Sequence, residues 1–249
     1  MCAIARRHRA RRPSARRAFT LVELLVVIGI IALLIAILLP VLSKARQAGN
    51  RTKCLANLRS LAVAQTTYAA ELKNALVEAG DGSYDVQGSW IGLLEPYAGH
   101  ALIRRCPSDQ SPYFDAPFTD FATPVNRLTS YGINNYVSPT HVPLGVMPFK
   151  LISQVPKSSA VIQFVELAET GNYAVADHIH VQEFYSPMAP QTTLNRIAQQ
   201  MPVGRHGGTR GGWDGVLNYS FLDGHAESLP LRDVYVDPDN NRFIPAAAR

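Results

Sequence analysis

A single apolar run dominates the start of the hydrophobic pattern and extends from residue 19 to residue 39. Within it only Thr20 and Glu23 are strongly polar. A helix rises about 1.5 Å per residue, so a run of this length crosses a hydrocarbon core of about 30 Å. The pattern therefore predicts a membrane-spanning helix over 19–39. It leaves Glu23 unexplained, because an unpaired charge inside a membrane is costly.

Helical periodicity continues beyond Pro40 and predicts an amphipathic continuation over 40–75. The apolar stripe consists of Leu55, Leu58, Leu61 or Ala62, Gln65, Tyr68 or Ala69, and Leu72. Residues 19–73 are thus expected to form one long helix, kinked near Pro40 and weakened at Gly49 and Asn50. Its second half is expected to pack against a globular head by the apolar stripe.

The pattern from residue 76 to residue 236 changes to short segments typical of a globular head. A short buried helix is predicted at 90–97, and strands are predicted at 131–137 and 160–166. Two further apolar segments, 216–221 and 225–229, flank Asp223-Gly224, which is a strong hairpin signal. Residues 171–205 carry few periodic signals and are interpreted as a long variable insertion. Residues 237–249 are expected to form a poorly ordered tail.

Charge is distributed unevenly along the chain. The net charge is +5, but seven arginines precede Phe19 with no acidic residue among them. The remainder carries 17 basic and 19 acidic residues, without a basic cluster. Since a nucleic-acid-binding head needs a basic face, no nucleic-acid partner is expected. Residues 1–18 are therefore interpreted as a basic leader, which keeps the N-terminus cytoplasmic and places the head outside.

The three cysteines are Cys2, in the basic leader, and Cys54 and Cys106, in the rest of the chain. Removal of the leader leaves one pair, which in an exported protein favours a disulfide between Cys54 and Cys106. Two buried free thiols are the alternative. Neither cysteine has the close spacing of a zinc site.

Other kinds of targeting segment account less well for the apolar run. A secretory signal peptide has a shorter apolar region and a small-x-small cleavage site. A twin-arginine export signal would match Arg16-Arg17-Ala18-Phe19, but it would leave Glu23 without a role. A plain membrane anchor is the simplest alternative, and it does not explain Glu23 either.

The leader and the first apolar residues together resemble the class III signal of type IV prepilins and type II secretion pseudopilins. The matching residues are Ala18 followed by Phe19-Thr20-Leu21-Val22-Glu23-Leu24. The resemblance implies cleavage between Ala18 and Phe19 by a prepilin peptidase, methylation of the new amine, and a pairing of Glu23 with the amine of a neighbouring subunit. Pairing of Glu23 with its own N-terminus stays open. Ala18 departs from the glycine that is usual in the family.

This resemblance also implies a fold and a function. The expected fold is α+β and pilin-like, a long N-terminal helix packed on a small, mainly antiparallel sheet. The expected function is that of a non-enzymatic structural subunit of a type IV pilus-like or type II secretion pseudopilus filament, a single-pass inner-membrane protein with a periplasmic head before assembly. The alternative is a minor tip subunit or envelope-anchored module whose head binds a ligand or secreted substrate.

Further landmarks resemble a narrower family, the prepilin-like proteins of planctomycetes with a C-terminal H-X9-DG region. The matching segments are Cys54-x-x-Asn57-Leu58-Arg59, Tyr68, Cys106-Pro107-Ser108, Tyr131-Gly132-x-Asn134 and Asp223-Gly224-His225. Here sixteen residues, rather than nine, separate His206 from Asp223. The excess is assigned to the Gly-rich loop 209–215.

Candidate chemistry in the head is limited. His206, Asp214, Asp223 and His225 could converge at one end of the hairpin as a metal site, with calcium through Asp214 or Asp223 as the preferred variant. Asp-Gly is equally a turn signal, which is the alternative explanation of Asp223. Apart from calcium, no cofactor is expected. His178 and His180 alternate as on one face of a strand, but a solvated loop is the preferred interpretation. No hydrolase, nucleotide-binding or zinc-protease motif is present.

Overall fold

The computed structural model describes residues 20–80, 89–98, 104–121 and 123–248. The chain divides into two compact units, the first ending at Ala45 and the second beginning at Arg46. The predicted cleavage site between Ala18 and Phe19 lies outside the described residues.

Helix α1, Leu21–Glu71, confirms the predicted long apolar N-terminal helix and contains Pro40. In the first unit its large aliphatic side chains, from Leu21 to Leu42, are between 48% and 76% exposed. A monomeric soluble protein rarely exposes so large an apolar surface. By length and composition, α1 can cross a membrane.

In the second unit, the later turns of α1 bury one stripe of side chains. The buried positions are Cys54, Leu58, Leu61, Ala62, Ala64, Gln65 and Ala69. Gln65 satisfies both atoms of its amide, since Nε2 donates to the carbonyl of Ala75 at 2.9 Å and Oε1 accepts from the N–H of Val77 at 3.1 Å. These bonds offset the cost of burying a polar group, so Gln65 fits the apolar stripe.

The head contains a five-stranded sheet in the order β3-β1-β2-β4-β5. Its strands are β1 (Tyr131–Asn134), β2 (Ile162–Glu166), β3 (His178–Ile179), β4 (Val216–Phe221) and β5 (Ala226–Pro230). All neighbours pair antiparallel except β1 and β3, which are parallel. A separate two-stranded sheet is formed by β6 (Tyr235–Asp237) and β7 (Asn240–Asn241). The architecture is therefore α+β and pilin-like, as expected.

Apolar cores lie on both faces of the larger sheet. One core joins α1 and helix α2 (Trp90–Ala98) to β1 and β2, through residues such as Leu58, Trp90 and Ile133. The other joins helix α3 (Pro190–Gln200) and the C-terminal segment to β2 and β4. Alternation within β4 accounts for this division: Tyr219 lies in the second core, while the amide of Asn218 donates to the α1 carbonyl of Arg51 at 3.2 Å.

Four predicted elements of the head are confirmed with adjusted ends. The short helix at 90–97 is α2, and the predicted hairpin is β4–β5. The strand predicted at 131–137 ends at Asn134, because the Asn134 side chain accepts from the N–H of Tyr136 and caps a 3₁₀ turn, Asn135–Val137. Strand β2 begins at Ile162 rather than at residue 160.

Residues 171–205, interpreted from the sequence as a long variable insertion, carry more regular structure than their few periodic signals indicated. This segment forms β3 and α3, and it contributes Ile179, Phe184 and Ile197 to the core. The placement of His178 and His180 in a solvated loop is wrong. His178 is buried in β3 and His180 is half-buried, because pairing with β1 draws this stretch into the sheet.

The expected poorly ordered tail is packed instead. Phe243 is fully buried, and its carbonyl accepts from the Asn134 amide at 2.7 Å. The carbonyl of Arg242 accepts from the N–H of Ile162 at 2.8 Å. The head therefore extends beyond residue 236, because these backbone groups bond to the end of β1 and the start of β2.

Candidate functional site

Thr20 and Glu23 cap the N-terminal end of α1. The Glu23 carboxylate accepts from the N–H of Thr20 at 2.9 Å and from its hydroxyl at 2.8 Å, and the Glu23 N–H donates back to that hydroxyl at 3.2 Å. This reciprocal arrangement is a capping box, which satisfies N–H groups that a helix start leaves unpaired. A Thr three residues before a Glu, ahead of an apolar run, is the sequence signal of this cap.

A disulfide joins Cys54 of α1 to Cys106, which begins the loop before β1. The two Cα atoms lie 4.9 Å apart, and both cysteines are fully buried. One helical turn later, the Asn57 amide donates to the hydroxyl of Tyr131 at 3.1 Å and to the carbonyl of Arg105 at 3.2 Å. The structure thus brings the predicted cysteine pair together and fixes α1 against the start of β1.

His206 lies beside this disulfide, in a buried position. Its Nε2 is 2.7 Å from Oε1 of Glu166, at the end of β2, and 3.9 Å from Sγ of Cys106. Because a carboxylate accepts, Nε2 carries the donated proton. The other Glu166 oxygen accepts from the N–H of Asn218 at 3.3 Å. His206 therefore links the loop before β4 to the centre of the sheet.

A group of buried charges extends from Glu166. Arg127 donates to Asp109 at 2.6 Å and to the carbonyl of Ala168 at 2.5 Å, and both charged side chains are inaccessible to solvent. Arg205 lies 3.6 Å from Glu166 and 3.7 Å from Asp109. Burial lowers the pKa of the Arg127 guanidinium, an effect that Asp109 opposes. No short motif in the sequence marked these residues, because they lie far apart along the chain.

The contacts within this buried group stabilise the fold. Among the described residues, Cys54, Cys106, Glu166 and His206 bring ligand atoms within 4.8 Å of one another. The two sulfurs are bonded to each other, so they cannot act as thiolate ligands or nucleophiles while oxidised. Glu166 already bonds to His206 and Asn218. The arrangement therefore holds α1, the sheet and the loop before β4 together.

The four residues predicted to share a metal do not converge. Asp214 lies before β4 and accepts from the hydroxyl and N–H of Thr209, both at 3.1 Å. Asp223 lies beyond the other end of β4, where its Oδ1 is 2.5 Å from Nδ1 of His225. Strand β4 has six residues and spans about 20 Å, so one ion cannot reach both carboxylates. Calcium binding by either aspartate alone stays a prediction.

Asp214 belongs to a compact glycine-rich loop. The Thr209 hydroxyl lowers the pKa of the Asp214 carboxyl, and the Thr209 and Asp214 backbone groups add to that effect. Gly208 has φ +69°, and a Cβ there would lie 2.1 Å from the carbonyl oxygen of Asp214. The loop therefore closes on itself around Thr209 and Asp214, and places His206 at the start of β4.

Comparison with known proteins identifies one feature. A family model described as "Prokaryotic N-terminal methylation motif" matches residues 13–39. No curated protein and no solved structure is significantly similar to the chain.

Proposed function

We propose that this chain is a prepilin-like subunit, cut between Ala18 and Phe19 by prepilin peptidase, methylated on the new amine, and built into a type IV pilus-like or type II secretion pseudopilus filament. The methylation motif over 13–39 indicates a structural protein of the type IV pilin or pseudopilin kind. Before assembly the subunit is held in the inner membrane by α1, with a cytoplasmic N-terminus and a periplasmic head.

One observation carries this proposal: the methylation motif leads directly into a helix whose aliphatic side chains are uncovered from Leu21 to Leu42. A membrane covers such a surface before assembly, and the helices of neighbouring subunits cover it afterwards. The Cys54–Cys106 disulfide fits this route, since disulfides persist in oxidising compartments such as the periplasm.

Mass spectrometry of the mature N-terminus tests the processing step. Produced with its prepilin peptidase, the protein should begin at Phe19 and carry one added methyl group. In a strain without the peptidase it should keep the leader. An N-terminus still at Met1 in the presence of the peptidase, or one beyond Pro40, would contradict the proposal.

A second candidate function is that of a minor tip subunit or envelope-anchored binding module. It is favoured by Leu144, Met147 and Met188, three large apolar side chains that the head exposes to solvent. Quantitative mass spectrometry of purified filaments separates the two functions. A main subunit is the most abundant pilin in the fibre, whereas a tip subunit is present in a few copies per fibre.

The narrower family with the H-X9-DG region is also proposed, on the residues that carry the resemblance. Asn57 and Tyr131, which belong to two of its motifs, share a hydrogen bond of 3.1 Å. Gly132 lies where a Cβ would meet Leu167 at 2.6 Å, so a glycine suits this position. These contacts support the resemblance because they give its motif residues structural roles.

A further inference from the structure

Three histidines of the head gather beside one cavity. His178 lies in β3, the parallel neighbour of β1, and His180 directly follows that strand. Their Nε2 atoms lie 3.2 Å apart. The ring of His141 lies 4.6 Å, centre to centre, from that of His178. The adjacent cavity has a volume of about 420 Å³, and all three histidines line it.

We propose that His178 and His180 bind a late first-row divalent metal ion of the zinc class through their Nε2 atoms, beside the ring of His141. This site is distinct from the assembly helix, and it does not depend on the filament role proposed above.

The distance between the two Nε2 atoms fits this assignment. Zinc–nitrogen bonds of about 2.0–2.1 Å in a tetrahedral site place two ligand nitrogens about 3.3 Å apart. The observed separation of 3.2 Å is therefore close to what one shared ion requires. Imidazole ligands suit zinc, copper and nickel rather than calcium or magnesium, which prefer oxygen.

Asp177 orients the first ligand. Its Oδ1 lies 2.8 Å from Nδ1 of His178, so Nδ1 donates the proton and Nε2 keeps the lone pair that a metal needs. The other Asp177 oxygen accepts from the N–H of Gly80 at 2.5 Å, and the Asp177 carbonyl accepts from the indole of Trp90 at 2.7 Å. A carboxylate that holds the far nitrogen of a ligating histidine is the usual outer partner of a metal site.

His180 is held mainly by its backbone. Its N–H donates to Oε1 of Gln200 at 2.7 Å, while its buried Nδ1 has no hydrogen-bond partner within the described part of the chain.

The cavity leaves room for a ligand other than protein on the ion. A tetrahedral zinc ion held by two histidines keeps two positions for water or other small ligands. Since both histidines line a cavity of about 420 Å³, a small molecule or a side chain of another protein has room to reach the ion.

Zinc titration of the full chain tests the proposal. The chain is purified in detergent with any affinity tag removed, stripped with a chelator, and titrated in competition with a chromophoric chelator. One equivalent of Zn²⁺ should bind, and Co²⁺ should give the intense visible bands of a tetrahedral site. Absence of one-equivalent binding, or Co²⁺ bands typical of six-coordinate oxygen ligation, would overturn the proposal.

Matched variants locate the site. His180→Ala should remove one-equivalent binding and the Co²⁺ bands, whereas His225→Ala, which changes a more exposed histidine, should leave both unchanged. Asp177→Asn should weaken Zn²⁺ binding about 10- to 100-fold. The melting temperature of each metal-free variant is compared with that of the metal-free parent, so that misfolding is recognised. Unchanged binding in His180→Ala would place the metal elsewhere and refute the assignment.

Discussion

Nε2 of His206 donates a hydrogen bond of 2.7 Å to the Glu166 carboxylate, and both side chains are inaccessible to solvent. The two residues lie 40 positions apart, on β2 and on the loop that leads into β4. Arg205, next to His206, lies 3.6 Å from the same carboxylate. Glu166 of β2 thus supplies a buried negative charge next to Arg205 and His206 of the loop before β4.

Glu166→Ala is expected to lower the free energy of unfolding by about 3–5 kcal/mol, because it leaves the buried His206 without its hydrogen-bond acceptor and removes one of the carboxylates that surround the buried Arg205. Denaturant unfolding of the full chain in detergent measures the change. Arg232→Ala is the control: its contact with Asp233 is long, at 3.9 Å, and exposed, so the expected change is within about 0.5 kcal/mol. Equal effects of the two substitutions would contradict this account of Glu166.

The Cys54–Cys106 disulfide is expected to contribute about 4 kcal/mol, the loop-entropy value for a separation of 52 residues. A reductant should therefore lower the melting temperature of the parent chain. The double variant Cys54→Ser/Cys106→Ser should melt at the lower temperature with or without the reductant. If reduction left the melting temperature of the parent unchanged, the covalent link would not stabilise the head.

Gly208→Ala is expected to destabilise the head more than Gly211→Ala. Both glycines have positive φ, +69° and +64°, so alanine is strained at either position by about 1–2 kcal/mol. Only at Gly208 would the new Cβ also collide with backbone, at 2.1 Å from the Asp214 oxygen, whereas nothing lies within 4 Å at Gly211. The difference between the two unfolding free energies measures this collision, and equal values would show that the loop opens freely.

Glu23→Ala is expected to leave leader cleavage intact and to abolish incorporation into filaments, if the carboxylate pairs with the amine of a neighbouring subunit. Thr20→Ala is the matched variant. It removes the hydroxyl of the capping box and keeps the Glu23 charge, so filaments should still form. Immunoblotting of sheared filaments and of membranes measures both outcomes. Loss of assembly in both variants would instead assign Glu23 to the helix cap.

Hydrophobic periodicity was sufficient to predict the elements whose buried face follows from the spacing of their own residues. Strands β4 and β5 alternate around Asp223-Gly224, and Asp223 accepts from the N–H of His225 at 3.1 Å within that turn. The stripe on α1 follows helical spacing, so Leu58 and Leu61 could be assigned to the core from their positions alone.

Long-range contacts decided the segments that the sequence did not reveal. Helix α3 has two adjacent threonines and no side-chain cap at Ala189, so its local propensity is weak, but Leu194 and Ile197 are buried against the sheet. The sequence alone predicted His178 in a solvated loop, whereas the pairing of β3 with β1 buries it. The buried charges could not be predicted, because Asp109, Arg127 and Arg205 become neighbours only in the folded head.

The bond between Cys54 and Cys106 also has a mechanical consequence. In a filament of the proposed kind, tension along α1 would pass to the head through the contacts of the later turns of the helix, which include Cys54. There a covalent bond, rather than side-chain packing alone, joins the helix to the loop before β1. Shear between α1 and that loop would therefore have to break a chemical bond before the two could slide apart.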